Sequence, residues 1–302
     1  SKPRSYRDLP MRIAELAQLY RYEQSGELMG LQRVRAFCLS DAHIICVDEK
    51  QAVEEMGKAL DLIEYVNKVF HLEYGKDYRY RLSLGDRDNT EKYFKDDAGW
   101  DKAEELLRKL MKNRKAEFEE AEDQAAFYGP KIDVQMKNVN GKEDTAVTVQ
   151  YDLSSSHRFD LTYTGEDGKV HKAFVVHRSS IGAIERIVAF LIEKYGGAFP
   201  LWLSPVQVKV LPISENHLEY AQNIFESLKD ASIRAELDQS NENLGKKIRN
   251  AKVEKVPYIL VIGDKEVEAN VVTLESRDSG NLGQISVEDL ISKLKEEIFN
   301  KK

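Results

Sequence analysis

Between Arg21 and His43 the chain turns back once and carries polar chemistry on both arms. The stretch reads Arg-Tyr-Glu-Gln-Ser-Gly-Glu-Leu-Met-Gly-Leu-Gln-Arg-Val-Arg-Ala-Phe-Cys-Leu-Ser-Asp-Ala-His. Ser25-Gly26 and Gly30 mark a turn, and Val34 to Cys38 suits the strand that follows it. A strand, a glycine-bearing loop and a returning strand bring Arg21 and Arg33 near one another. Two converging guanidiniums can clamp a polyphosphate, because each presents a fixed fork of donors. Glu23 can accept from an exocyclic amine such as that of adenine, and Phe37 offers a flat face for a base. Asp41 and His43 close the stretch with a carboxylate and a metal-capable imidazole. The same charges could equally be solvated surface pairs of little consequence.

Periodicity organises the rest. Ala14-Glu15-Leu16-Ala17-Gln18 favours helix by propensity. Val53, Met56, Leu60, Ile63 and Phe70 fall at helical spacing and predict a core-facing helix over residues 49–70. Tyr78 to Leu84 alternates like a strand, and Trp100 opens a second helical stretch. Ile132 to Met136 and Thr145 to Tyr151 read as a hairpin about Asn140-Gly141, with Gln150 and Asp152 ending the return strand. Val170 to Val176 is a further strand. Ile181, Ile184, Val188, Leu191 and Tyr195 make one helical stripe, stopped by Gly196-Gly197. Gly182 and Ala183 would keep the first turn of that helix slim enough for an anionic ligand, with Arg186 projecting from it. The region is mainly antiparallel sheet with inserted helices. After Pro205 strands and helices alternate, which indicates a small α/β domain. The expected domains are therefore 1–204 and 205–302.

The 302 residues are 42% apolar and 32% charged, enough for two domains with their own cores. A net charge of −7 argues against non-specific nucleic-acid binding but permits a local basic face. Lys246, Lys247, Arg249, Lys252 and Lys255 supply such a strip, opposed only by Glu254. Cys38 and Cys46 are too few for a disulfide framework, so a reducing, cytoplasmic setting is the default. No apolar run approaches the roughly 18 residues of a membrane span, and the first residues carry no secretory pattern.

Arg21-Tyr-Glu23, the Ser-Gly-Glu-Leu loop, Arg33-Val-Arg35 and Asp41-Ala-His43 together resemble motif 2 of the class II aminoacyl-tRNA synthetases. Gly182-Ala-Ile-Glu-Arg186 resembles motif 3. The run from Ala198 to Val208 is similar to the exit from the catalytic domain in the threonyl members. Residues from 205 onward resemble the anticodon-binding domain shared by several class II enzymes. The resemblance runs from Ser5 to about Phe299. It implies an α+β catalytic domain of antiparallel sheet flanked by helices, followed by the small α/β domain, and it makes residues 12–20 a strand.

Functionally the resemblance implies a threonine–tRNA ligase. ATP, with magnesium, would activate L-threonine to threonyl-adenylate, and the threonyl group would pass to the 3′ end of threonine tRNA. Arg21 and Arg186 would be the catalytic cations. Arg21, Glu23, Arg33, Phe37, Gln150 and Arg186 would hold ATP, with Glu23 on the adenine amine and Arg33 at the terminal phosphates. Asp41, Tyr128 and Lys131 would face threonine. Asn241, Arg249 and Glu266 would read the anticodon. His43 and His177 would bind zinc. Threonine differs from valine by a hydroxyl in place of a methyl, which an apolar pocket discriminates poorly. A zinc with three protein ligands keeps positions open for the substrate.

The third zinc ligand, a cysteine, and the dimer-forming motif 1 are expected upstream of Ser1. The homodimer is then expected of the longer protein, and the chain alone is expected to activate threonine weakly. Met29, Leu39, Thr145 and Ala183 depart from common family residues, and Glu275 stands where an arginine is usual. Two rivals stand beside this reading. A non-catalytic paralogue acting as an accessory or regulatory subunit would usually lose the motif arginines. Another class II ligase, such as the prolyl or glycyl enzyme, would lack the histidine pair.

Overall fold

The computed structural model describes residues 2–302, which form two compact units that divide between Glu193 and Lys194. The division falls before the expected Pro205. Leu201 is buried in the core of the second unit, and the buried Gln207 side chain donates to its carbonyl at 2.9 Å.

The elements up to residue 195 are β1 (Met11–Tyr20), β2 (Ala36–Cys46), α1 (Glu49–Val69), β3 (Tyr78–Ser83), α2 (Asp97–Asn113), β4 (Phe118–Ala121), β5 (Lys131–Lys137), β6 (Glu143–Asp152), α3 (Ser155–Arg158), β7 (Thr162–Thr164), β8 (Val170–Lys172), β9 (Phe174–Ala183) and α4 (Ile184–Tyr195). Seven strands form one sheet in the order β1-β2-β9-β6-β5-β3-β4, and β7 pairs with β8. Only β3 and β4 run parallel in the large sheet. The helix-favouring residues of β1 pair one for one with β2, from Met11 opposite Ile45 to Tyr20 opposite Ala36. A full ladder outweighs a propensity difference of a few tenths of a kcal/mol per residue. The strand implied by the resemblance is the one that forms.

Helix α1 packs on β2, β6 and β9. Asp48 caps it, accepting the Gln51 N–H at 2.7 Å. Its buried stripe includes Ala52, Met56, Ala59, Leu60 and Ile63, while Val53 and Phe70, expected in it, are half-buried. Strand β5 buries Ile132, Val134 and Met136, while Lys131, Asp133 and Gln135 alternate onto the other face. That face carries a row of register partners. His43 lies opposite His177, His177 opposite Gln150, Gln150 opposite Lys131, and Lys131 opposite Ser83. Directly opposed residues share a face, so these side chains stand together. Thr148, Asp133 and Arg81 are partners in the same way.

One expectation is corrected here. Gly182 and Ala183 do not open a helix. β9 continues through Ala183, which pairs with Leu39, and α4 begins at Ile184. Gly182 has φ +73°, and a Cβ there would lie 2.1 Å from the Ala146 carbonyl oxygen. The glycine serves close strand approach.

The second unit contains β10 (Val208–Pro212), α5 (Leu218–Asp230), β11 (Ala235–Leu237), α6 (Leu244–Val253), β12 (Tyr258–Ile262), α7 (Asp264–Ala269), β13 (Val272–Ser276), β14 (Gly280–Ile285) and α8 (Val287–Phe299). The sheet order is β11-β10-β12-β13-β14, parallel through β12 and antiparallel after it. Ala221, Ile224 and Leu228 of α5 and Leu290 and Leu294 of α8 share one core with the sheet. Ala251 of α6 packs with Leu211 and Ile259 in another. No helix among the described residues is long and apolar enough to cross a membrane.

Candidate functional site

A cavity of about 390 Å³ opens on the polar face of the large sheet. Its lining includes Arg21, Glu23, Arg33, Phe37, Asp41, Tyr128, Lys131, Gln150, His177 and Arg186. The residues expected to hold ATP and threonine thus share one space, although they come from positions far apart in the chain. His43 adjoins it, its ring centroid 4.5 Å from that of His177.

The hairpin supplies one wall. The Arg21 N–H donates to the Arg35 carbonyl at 2.8 Å, which closes the hairpin above β1 and β2. The Arg21 guanidinium lies 5.2 Å over the Phe37 ring, a cation–π arrangement. Arg33 donates through Nε and Nη2 to one oxygen of Glu23, at 3.1 and 2.9 Å. That contact holds the Glu23 carboxyl below the usual range. Arg21 thus rests on Phe37 and Arg33 is engaged with Glu23.

Arg186 comes from the first turn of α4. Its Nε donates to the Gln32 carbonyl at 2.8 Å, and Nη1 donates to the Thr145 carbonyl. Burial depresses its pKa, but a guanidinium stays charged in proteins. Two backbone carbonyls thus hold the guanidinium in place.

The opposite wall is built from β5, β6 and β9. Tyr128 donates to the Gln150 side-chain oxygen Oε1, and Gln150 Nε2 donates to the Thr148 hydroxyl at 2.7 Å. Burial pushes the Tyr128 hydroxyl pKa up, so it is a neutral donor. Lys131 is held by Asp133 at 2.9 Å.

His177 Nε2 lies 2.6 Å from Asp152 Oδ2. Burial raises the Asp152 pKa, but hydrogen bonds from His177, Ser155 and Ser154 outweigh it and hold the carboxyl below its usual range. An ionised carboxylate only accepts, so Nε2 carries the hydrogen of this contact. His43 Nδ1 is 3.9 Å from Asp41 Oδ2. Among the described residues no three His, Cys, Asp or Glu side chains are placed to hold a metal. His43 and His177 stand side by side as two imidazole donors.

Asp152, Asp133, Gln32, Thr148 and Glu185 were not anticipated as site residues. Glu185 accepts the Cys38 amide at 3.0 Å and lines the cavity. For Asp133 a signal existed, since Lys131, Asp133 and Gln135 put polar groups at alternate positions of an otherwise apolar strand.

The profile of the tRNA synthetase class II core domain (G, H, P, S and T) matches residues 1–195. The chain belongs to the class II aminoacyl-tRNA synthetases. An anticodon binding domain matches residues 207–297. The chain is 51% identical over 284 residues to a threonine–tRNA ligase of Halalkalibacterium halodurans, covering 93% of this chain and 43% of the relative. It is 48% identical over 295 residues to that of Listeria monocytogenes, covering 97% and 46%. This synthetase chain thus spans somewhat less than half the length of the curated relatives it matches. A crystal structure of the RNA binding domain of threonyl-tRNA synthetase from Cryptosporidium parvum superposes with a TM-score of 0.89 at 33% identity, covering 97% of this chain and 72% of that one.

In the anticodon-binding unit of the synthetase, Asn241 lies exposed before α6 and Arg249 is exposed on α6. Glu266 is buried. Its carboxylate accepts from the Gly263 N–H at 2.9 Å, Thr273 at 2.7 Å and Gln284 at 3.1 Å. The expected basic strip does not form one free face. The helical period turns Lys247 inward beside Ala251, where it donates to the Pro212 and Asp238 carbonyls at 3.2 and 3.3 Å. Lys246 pairs with Glu242 and Lys252 with Glu275, both at 2.6 Å. Lys255 donates to the Gly196 carbonyl.

Proposed function

We propose that this chain carries the amino-acid activation centre and the anticodon-reading unit of a threonine–tRNA ligase that acts in the cytoplasm, as a homodimer in the longer protein. The observation that carries the reading is the cavity shared by Arg21, Arg186, Gln150, Lys131 and His177. The names of the relatives supply the amino acid.

In this reading the threonine carboxylate attacks the α-phosphorus of ATP in line, and pyrophosphate leaves. No general base is needed, because the attacking group is already an anion. The barrier falls through positive charge fixed before the reaction. Arg186, tied to two carbonyls, and Arg21, laid on Phe37, supply that charge. Adenine competes for Phe37 and for Glu23, and Arg33 turns from Glu23 to the terminal phosphates. Magnesium enters as the counter-ion of ATP. Tyr128, Lys131 and Asp41 orient threonine. His43 and His177 would hold zinc together with a third donor, and the metal would supply Lewis acidity for recognition of threonine. The exposed Asn241 and Arg249 would read the anticodon of threonine tRNA, whereas Glu266, expected beside them, is buried and engaged by Gly263, Thr273 and Gln284.

ATP–pyrophosphate exchange by the natural protein carrying these residues tests the proposal, with threonine, serine, valine, proline and glycine compared. Threonine alone should drive strong exchange. Exchange driven by proline or glycine, or by none of the five, would overturn it.

A further inference from the structure

Asp133 sits at the centre of β5 with no exposed side-chain surface. It accepts from Ser83 Oγ at 2.7 Å, from Arg81 Nη2 at 3.0 Å, and from Lys131 Nζ at 2.9 and 3.0 Å. An apolar residue at the middle of a sheet would avoid the cost of desolvating a carboxylate. Here the carboxylate is shared between two cations that lie on different strands, and one of them, Lys131, lines the cavity. Lysine is a flexible point charge. Left alone on a strand it would range over the cavity mouth.

We propose that Asp133 is a positioning residue that fixes the Lys131 ammonium against the cavity wall. This rests on reading the cavity as the activation site, with Lys131 facing the amino acid. With Arg81 on the same carboxylate the cluster keeps one surplus positive charge, and Lys131 is left to point its remaining hydrogens at ligand. Ser83 locks the carboxylate plane from the same strand as Arg81. The residue itself touches no substrate; its effect passes through Lys131.

The test uses the natural protein with Asp133→Asn, Asp133→Ser, Lys131→Ala and the Asp133→Asn/Lys131→Ala double variant. Thermal melting identifies which Asp133 variant is folded, and that one is carried forward. Calorimetric affinity for threonyl-sulfamoyl adenosine and the KM values in exchange are then measured. Asp133→Asn should bind the analogue about tenfold more weakly, the loss expected for one hydrogen bond to a charged group. KM for threonine should rise by a similar factor while KM for ATP stays within about twofold. The double variant should be no worse than Lys131→Ala, because both changes remove one interaction. Parent-like affinity in a folded Asp133 variant, or losses that multiply in the double variant, would overturn the proposal. A parent protein without threonine-dependent exchange would instead count against the activation reading.

Discussion

His177 is tethered to Asp152 by a 2.6 Å contact through Nε2, and its ring meets that of His43 edge to face at a centroid distance of 4.5 Å. The tether selects the tautomer and fixes the ring, as carboxylate partners of metal-bound histidines do. Asp152→Asn keeps the shape but loses the charge. We expect zinc affinity of the natural protein to fall by about 10–100-fold, measured by competition with a chromophoric chelator. Unchanged affinity would show that the ring is held by its packing alone.

Arg12 and Glu55 tie the edge strand β1 to α1. The pair is bidentate, at 2.6 and 2.8 Å, and Glu55 is only 2% exposed. The Arg12 contact holds the Glu55 carboxyl below its ordinary value of 4.5. A depressed folded pKa gives stability that is present above the unfolded value and lost as pH falls through the folded one. Arg12→Ala should cost about 1–2 kcal/mol at neutral pH, since Arg12 is half exposed and Lys58 still pairs with Glu55. Urea denaturation should show the gap between parent and variant narrowing below pH 4.5 as Glu55 protonates. A gap that is constant with pH would refute the assignment.

Gly182→Ala sets a methyl 2.1 Å from the Ala146 oxygen at a φ of +73°. The strands must part or the backbone must flip, which should cost at least about 2 kcal/mol. Because Ala146 and Ala183 both line the cavity, analogue binding should weaken in step with the loss of melting temperature. A variant that melts like the parent would be the contrary result.

In the anticodon-binding unit, Glu275 neutralises Lys252. Glu275→Arg frees that lysine and adds a cation. Binding of threonine tRNA should tighten, with a steeper dependence on salt because more phosphates are neutralised. Arg249→Ala should weaken cognate binding by about 1–3 kcal/mol and relax anticodon preference. Filter binding with cognate and anticodon-swapped tRNAs over a range of salt separates the two effects. If Arg249→Ala binds both RNAs as the parent does, α6 is not the reading surface.

Much of this architecture was legible because periodicity and resemblance agreed. The stripe of α1 and the hairpin about Asn140-Gly141 follow from patterns several residues long, and the meeting of His43 with His177 follows from the resemblance. The residues that escaped are those whose role depends on register. Asp152 and His177 are 25 positions apart, and only the pairing of β6 with β9 brings them together. Gly182 resembled a helix start because its neighbours share a helical stripe, yet one close carbonyl decides its conformation. Lys247 looked cationic and free in a basic run, but α6 rotates it onto two backbone carbonyls. Short α7 and β14 carry too few apolar positions to announce themselves.

The row from His43 to Ser83 works as a ruler. Adjacent strands lie about 4.8 Å apart, so the interval between neighbouring groups is set by the hydrogen-bond ladder and not by loops. A ligand spanning the row is measured in strand spacings. Loops at the rim can then lengthen or change sequence without altering that measure. A slip of one residue in β9 would instead turn its histidine into the apolar layer and break the scale at its centre.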